Sequence, residues 1–385
     1  MKIDLQGKIT LILAILCITC MGLCIPCIGL AQHTCLNKSI AQVNAVGNEG
    51  FGHEAAMAAW QQLGAADVTQ APTILASINA DKPLAANWLR AAVDQIVERH
   101  VNSGKALPKS EFEKIVFDQA YAPIARRMAY EWLKECDSTA EARIIPKMLN
   151  DSSLEMRRDA VALAIKHAQQ LEKGPEAIKQ YRVALTAARD FDQIESIHKT
   201  LTQFGEKVEL QQHFGFLINW KLVGPFDNTD KDGFDVAYGP EQDLASKKSY
   251  TGKSGEVRWS EHTTTDEYGT VNLNEAVGKH MGAVTYAYTE FPADRQQEVD
   301  LRLVSKNATK IWLNGEVVMS NEVYHTGSSF DQYIGHVTMK LGKNSILVKV
   351  CQNEQTEAWA QEWQFQLRVC DKLGTAVLAA VLAAK

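Results

Sequence analysis

The sequence predicts a multidomain chain with an α-helical region first and an antiparallel β-sandwich second. Apolar residues recur with the period of a helix between about residues 50 and 214, and they alternate with polar residues from about residue 215 onward. The 385 residues are sufficient for two or three domains. We therefore expect a helical domain at 50–210 and a β-sandwich domain at 215–385, preceded by a signal peptide at 1–31 and a linker at 32–49.

The charge balance argues against a nucleic-acid partner. The chain carries 46 Asp and Glu residues against 40 Lys and Arg residues, which gives a net charge of -6. Binding to a phosphate backbone requires clustered Lys and Arg side chains, and no such cluster is visible in this sequence. We therefore expect no nucleic-acid partner.

The N-terminus has the composition of an export signal. Lys2 and Lys8 give a positive start, residues 9–30 are almost wholly apolar, and Gly29 and Ala31 are small residues at the positions that a signal peptidase reads. Cleavage after Ala31 predicts an exported protein that is periplasmic, at the cell surface or secreted. Because the apolar run is about as long as a membrane-spanning helix, an uncleaved anchor is the alternative, and only then is a membrane a partner.

Six of the eight cysteines fall into two groups. Two C-x-x-C pairs lie within the apolar run, where cysteine serves as a small apolar residue rather than as a zinc ligand; they are Cys17, Cys20, Cys24 and Cys27. Cys351 and Cys370 each end a predicted strand. An oxidising compartment permits a disulfide between them if the strands are neighbours, and two buried free thiols are the alternative.

The helical region contains several amphipathic stretches. In the clearest of them one face carries Trp88, Leu89, Ala92, Val93, Ile96 and Val97, and the charged residues lie on another face. Residues 118–136 and 152–171 repeat this pattern, and six prolines lie near the expected helix starts, where the missing amide hydrogen costs little. These features predict a stack of antiparallel helices.

One helical segment resembles a known repeat. The sequence I-I-P-K-M-L-N-D-S-S-L-E-M-R-R-D-A-V-A-L-A-I at 144–165 resembles one HEAT repeat, and a fainter copy occupies 71–99. The two copies are about seventy residues apart rather than at a steady spacing of about forty. The resemblance implies a short HEAT-like superhelix that offers a curved surface to a protein partner, and an ordinary helical bundle is the alternative.

Strand patterns are clearest near the C-terminus. Val299, Leu301 and Leu303 alternate with polar residues, and 363–369 shows the same period of two, which gives each strand one buried and one wet face. Asn314-Gly315 supplies the positive φ angles of a two-residue hairpin turn. We therefore expect an antiparallel sheet that is exposed on one side.

The same residues resemble a known module. The order I-W-L-N-G-E-V-V at 311–318, an aromatic-rich loop at 324–333 and L-G-K-N-S-I-L-V-K-V at 341–350 is similar to the galactose-binding-like jelly roll that accompanies many glycoside hydrolases. The resemblance implies a jelly-roll β-sandwich with a carbohydrate ligand. Because this fold hosts sugar binders and purely structural modules alike, the ligand stays open.

Aromatic and polar residues in the expected loops are the candidate ligand site. A sugar is usually held by a flat ring that packs on its C–H groups and by polar groups that take its hydroxyls. The candidate ligand-binding residues are Trp259, Tyr324, His325, Asp331 and Tyr333. For Trp259 and Tyr333 a place in the core is the equally weighted alternative.

An acidic turn is the candidate metal site. Asn228, Asp230 and Asp232 are followed by Gly233, which is the order of the first half of a calcium loop. Position twelve of such a loop would be Gly239 instead of Glu, so this is no EF-hand. Calcium is therefore a candidate cofactor, and a solvated acidic turn is the alternative.

No sequence motif supports catalysis. The chain has no G-x-S-x-G, Walker, H-E-x-x-H or G-x-G-x-x-G motif. The sequence therefore predicts an exported, non-catalytic binding protein whose partner is a carbohydrate or an envelope protein. A structural adaptor in a cell-envelope assembly is one alternative, and a hydrolase that uses Glu354, Glu357 or Asp331 is another.

Overall fold

A computed structural model describes residues 34–243 and 248–380, which form two compact units. The first unit contains the described residues up to Leu171 together with Thr186–Ala188, and the second contains Glu172–Leu185 and the residues from Arg189 onward. The predicted signal peptide at 1–31 lies outside the described residues. Within the described residues, no helix has the length and apolar character that are needed to cross a membrane.

The first unit is helical. Its helices are α1 (34–44), α2 (His53–Gly64), α3 (Ala71–Ala76), α4 (Pro83–Asn102), α5 (Lys109–Phe117), α6 (Pro123–Cys136), α7 (Ala140–Ile144) and α8 (Leu154–Gln169). The predicted face of α4 is confirmed, because Trp88 is half-buried and the other five residues of that face are buried in the core of this unit. At the start of α8 the Ser153 hydroxyl accepts a hydrogen bond from the Met156 amide and caps the helix.

The linker expected at 32–49 is wrong for its central part. Residues 34–44 are helical, and Leu36, Ile40 and Val43 are buried in the core of the first unit. These residues follow the spacing of one helix face, which places them together against the core. The helical spacing of Leu36, Ile40 and Val43 is visible in the sequence and favours a helix over a linker.

The second unit begins with most of helix α9 (Pro175–Ala187) and with helices α10 (Phe191–Gln203) and α11 (Leu210–Phe214). Its strands are β1 (Asn219–Asp227), β2 (Ser249–Gly252), β3 (Gly255–Arg258), β4 (Ser260–Thr263), β5 (Val271–Asn272), β6 (Ala283–Ala293), β7 (Gln297–Val304), β8 (Ala308–Leu313), β9 (Glu316–Asn321), β10 (Tyr333–Met339), β11 (Gly342–Gln352) and β12 (Gln364–Cys370). Two short helices, α12 (Gly239–Asp243) and α13 (Leu273–Ala276), lie between strands. The helix-then-sheet order of the prediction is confirmed.

Two antiparallel sheets form the sandwich. One sheet has the order β4-β1-β6-β11-β8-β9, and the other has the order β10-β7-β12-β5. Their facing residues share one core, to which the first sheet contributes Leu222 and Val348 and the second contributes Leu301 and Leu367. The hairpin turn predicted at Asn314-Gly315 is confirmed, since both residues have positive φ and Leu313 pairs with Glu316.

The prediction of a sheet exposed on one side is wrong for the six-stranded sheet. Its outer face carries a second apolar cluster that includes Tyr286, Trp312 and Leu347, and the segment after β1 covers this face with Phe234 and Tyr250. The central strands β6 and β11 are therefore buried on both faces over most of their length. Alternation along a strand cannot reveal a cover that comes from a distant part of the chain.

The two predicted strand-end cysteines are free and buried. Cys351 lies in β11 of the six-stranded sheet, and Cys370 lies in β12 of the other sheet. Burial raises the pKa of the Cys351 thiol to about 12 and that of Cys370 to about 11. The two thiols are therefore inert, uncharged parts of the packing.

Candidate functional site

Four predicted site residues meet at one end of the sandwich. Asp227 at the end of β1 and Gln352 at the end of β11 both pair with Ala283 at the start of β6. The loops that follow β1, β9 and β11 therefore emerge together. They bring Asn228 and Asp230 close to Tyr324 and His325, and this end is called the apical site below.

Asn228 holds these loops together from inside. Its side chain is completely buried, and its amide nitrogen donates to the Tyr324 hydroxyl at 3.2 Å and to the Gln352 carbonyl at 2.9 Å. Its backbone amide donates to the Gly282 carbonyl at 2.8 Å. Burial raises the pKa of Tyr324, while the hydrogen bond from Asn228 acts in the opposite direction. Tyr324 is therefore a neutral phenol that is fixed in place.

Three residues at the apical site have left-handed backbone conformations. Asp230, Lys231 and His325 have φ angles of 56°, 69° and 56°, although none of them is glycine. Such conformations cost of order 1 kcal/mol or more and persist only where neighbouring contacts enforce them. One such contact is the bond from the Asp230 amide to Glu354 Oε1 at 2.7 Å. Strained residues that cluster in this way are typical of binding sites.

An exposed tryptophan completes the apical site. Trp359 lies on the short turn Ala358–Ala360 and is 60% exposed. The ring of His325 meets it edge to face at 5.2 Å between centroids, and His325 Nε2 is 2.9 Å from Asn353 Oδ1. An open cavity of about 410 Å³ lies in the same loops, and its lining consists of Lys231, Asn353, Glu354, Gln355, Thr356 and Glu357.

Trp359 was not among the predicted ligand residues, although its place in a polar loop directly after a strand is visible in the sequence. Trp359 and Trp363 are four residues apart, which on a helix would place both on one face. In the structure the turn ends at Ala360 and β12 begins at Gln364, so the two tryptophans do not lie on one helix. Their side chains have opposite environments. Trp363 is completely buried in the core, whereas Trp359 remains exposed.

Three other predicted ligand residues lie elsewhere. Trp259 is half-buried on the outer face of the six-stranded sheet, with its ring 6.3 Å from those of Tyr250 and Tyr288. Tyr333 begins β10, pairs with Leu303 and packs half-buried against the sandwich core. Both residues therefore take part in packing, as the alternative interpretation of the sequence predicted.

Asp331 is part of an ion-pair network on the four-stranded sheet. Its carboxylate accepts hydrogen bonds from Arg302 at 2.7 Å and from Arg368 at 2.7 and 2.6 Å. Burial alone would raise the pKa of Asp331, but the two guanidinium groups outweigh burial and hold the pKa below its ordinary value. This carboxylate is therefore saturated by protein groups.

The candidate metal ligands do not share one environment. Asn228 is buried and donates its amide hydrogens to protein oxygens, whereas Asp230 and Asp232 are exposed. Across the described parts of the chain, no group of three His, Cys, Asp or Glu side chains is placed to hold a metal ion. Asp230 and Asp232 thus lie on an exposed acidic turn, while Asn228 belongs to the packing beneath it, and calcium binding stays a prediction.

Comparisons with known proteins give weak matches. No family model matches the chain, and no curated protein sequence matches it significantly. A family 35 carbohydrate binding module from Clostridium thermocellum is 12% identical, with 23% of this chain and 71% of that chain covered and a TM-score of 0.18. A beta-glucosidase from Kluyveromyces marxianus in complex with glucose is 11% identical, with 73% of this chain and 35% of that chain covered and a TM-score of 0.27.

A beta-glucuronidase from an uncultured Clostridium sp. is a further match. It is 13% identical, the match covers 41% of this chain and 29% of that chain, and the TM-score is 0.23. The chain thus spans about a third of the length of either glycosidase. Similarity at these TM-scores is too low to establish a shared fold.

Proposed function

We propose that this protein is an exported, non-catalytic carbohydrate-binding protein. In this proposal the helical unit is a HEAT-like scaffold, and the sandwich is a jelly roll that binds sugar at the apical site. The main support for this proposal is Trp359, a large aromatic side chain that is 60% exposed beside His325 and an open cavity. A flat exposed ring can pack on the C–H face of a sugar, and the neighbouring amide and carboxylate groups can take its hydroxyls.

The state of the carboxylates supports a non-catalytic role. A glycoside hydrolase uses two carboxyl groups about 5 to 9.5 Å apart, and one of them must give up or accept a proton during the reaction. Asp331 is held by two guanidinium groups, and Glu354 is engaged by the Asp230 amide. Both carboxylates therefore have structural roles that catalysis would disrupt.

Export rests on the predicted signal at 1–31. Cleavage after Ala31 gives a mature chain that begins at Gln32, outside the cytoplasm. N-terminal sequencing of the exported protein checks this, and a protein that retains Met1 in the membrane fraction would favour the uncleaved anchor.

The test of the binding function is Trp359→Ala. We expect the wild-type chain to be retained by at least one polysaccharide on a glycan array or in an affinity gel. The variant should bind that polysaccharide at least about tenfold more weakly, because truncation of a central aromatic residue typically costs about 2 kcal/mol or more. Since the side chain is exposed, the far-ultraviolet circular dichroism spectrum should not change.

Phe51→Ala is the matched control. Phe51 is 72% exposed and is not part of the loops that form the apical site, so its loss removes a similar exposed ring and leaves those loops unchanged. Equal retention of both variants would place the sugar elsewhere. A wild-type chain that binds no glycan but captures one stoichiometric envelope protein would favour the adaptor function instead.

A further inference from the structure

We infer that the ligand of the apical site is a sugar that carries a positively charged amino group, as glucosamine polymers do, rather than an acidic sugar. This inference rests on the proposed function, because it concerns the ligand class of the same site. Two independent features of the site carry it: the balance of its charges and the character of its exposed rings.

Carboxylates outnumber cations on the loops of the apical site. Five exposed acidic residues surround the apical site, and within the described residues none of them has an ion-pair partner; they are Asp230, Asp232, Glu322, Glu354 and Glu357. Glu354 and Glu357 both line the cavity itself. The resulting potential attracts a cation and repels a uronate.

The nearby lysines do not offset this charge. Lys253 Nζ lies 3.0 Å from Asp227 Oδ1 and also donates to the Met281 carbonyl at 3.1 Å. Lys306 Nζ lies 2.7 Å from Glu362. Lys231 is the remaining cation of the cavity, and its ammonium is placed over the Tyr324 ring at 5.3 Å from the centroid. An acidic sugar in the cavity would therefore meet one ammonium and two carboxylates, with three further carboxylates on the same loops.

The exposed rings also suit a cationic group. An ammonium is attracted to the face of an aromatic ring, and tryptophan is the strongest such partner. The contact of Lys231 with Tyr324 shows this interaction within the site itself. Trp359 is 60% exposed and borders the same loops, so its ring is open to a ligand ammonium.

The ligand comparison uses three hexasaccharides that differ in charge. Isothermal titration calorimetry of the full chain is carried out at low salt and at a pH at which glucosamine is protonated. The probes are the hexamers of glucosamine, N-acetylglucosamine and galacturonic acid. We expect the glucosamine hexamer to bind most tightly and to weaken as salt is added, the N-acetylated hexamer to bind more weakly, and the uronate to show no binding.

The variant Glu357→Gln tests the charge directly. We expect it to bind the glucosamine hexamer roughly twofold to fivefold more weakly, as is typical for loss of one exposed charge pair, with no change for the N-acetylated hexamer. Glu298→Gln on β7 removes an equally exposed carboxylate outside the site and should change neither affinity.

The outcomes separate this inference from the proposed function. Binding of the uronate or of the N-acetylated hexamer as tightly as the glucosamine hexamer overturns the inference, while it leaves a carbohydrate-binding protein. Equal weakening by Glu357→Gln and Glu298→Gln also overturns it. If none of these hexamers and no polysaccharide on the array binds, the proposed function fails and the inference fails with it.

Discussion

Charged side chains inside the second unit show the limit of a residue-scale reading of the sequence. Lys349 lies in the sequence V-K-V and by alternation belongs to a wet face, yet it is completely buried. Its ammonium donates to the carbonyls of Phe234 at 2.9 Å and Val236 at 2.8 Å and to Glu241 at 2.8 Å. Alternation correctly separates the two faces, but the partners that neutralise this lysine lie more than a hundred residues away in sequence.

Asp331 gives a prediction at the same scale. We expect Asp331→Asn to lower the free energy of unfolding by roughly 3 kcal/mol at pH 7, because loss of the carboxylate leaves buried guanidinium charge without its partner. The pKa of Asp331 is lower in the folded chain than in the unfolded chain, where it is about 3.9. This stability is therefore present above about pH 4 and is lost as the pH falls through the folded-state pKa.

Urea titrations between pH 3 and pH 7 measure both effects. The Asn variant should start from a lower stability and lose less of it on acidification than the wild-type chain. Asp294→Asn, at an exposed position, is the control and should resemble the wild type. An Asn variant with wild-type stability at pH 7 would show that the guanidinium groups do not depend on this carboxylate.

At the scale of the element, the turn Thr229–Phe234 shows how one sequence pattern can have two physical causes. The order Asn-x-Asp-x-Asp-Gly suggested a calcium loop, in which the glycine permits a sharp turn around the ion. In the structure a steric restriction explains Gly233, because a Cβ atom at this position would lie 2.2 Å from the Asp227 carbonyl oxygen. The glycine lets Phe234 pack on the sheet and places Asp230 and Lys231 at the apical site.

The prediction at this scale is that Gly233→Ala disrupts the apical site. The added methyl group meets backbone atoms that cannot turn aside, so the free energy of unfolding should fall by about 1–3 kcal/mol. Sugar affinity should fall with it, because Asp230 and Lys231 shift. Thermal unfolding and glycan retention measure the two effects. Gly327→Ala, where a Cβ atom meets nothing within 4 Å, should leave both unchanged.

A Gly233→Ala chain that keeps full stability and full retention would mean that the turn can move away from Asp227 without cost. The apical site would then be adaptable, and the left-handed conformations of Asp230 and Lys231 would have no role in binding.

At the scale of the whole molecule, the sequence predicted the change of secondary structure but not the limits of the compact units. The change falls where it was expected, since α11 ends at Phe214 and β1 begins at Asn219. Periodicity is a local property and is visible in one sequence. The second compact unit nevertheless begins at Glu172, 43 residues before residue 215, because contacts between distant residues decide packing. The apical site was predicted only in part for the same reason. The aromatic loop with Tyr324 and His325 could be recognised in the sequence, but the residues of other loops that contact it could not.

An aromatic cluster joins the helices of the second unit to its four-stranded sheet. The ring of Phe330 lies 5.1 Å from Phe191 of α10 and 5.0 Å from Phe214 of α11. Arg368 of β12 packs its guanidinium over Phe330 at 4.9 Å and donates to the Phe214 carbonyl at 3.2 Å. These contacts cover the outer face of that sheet with apolar rings and satisfy a buried charge.

Because of this cluster, the stability of a truncated chain should depend on the residue at which it begins. We expect residues 172–380 to fold cooperatively on their own and to retain the sugar affinity of the full chain, because they include α10, α11 and the apical site. Residues 215–380 lack the half-buried Phe191 and the buried Phe214, whose burial together contributes roughly 2–4 kcal/mol, and they leave Phe330 and Arg368 uncovered. Guanidinium titrations followed by circular dichroism should give a lower midpoint for the shorter chain. Equal midpoints would mean that the sandwich is fully stable from residue 215 onward and that α10 and α11 do not contribute to its stability.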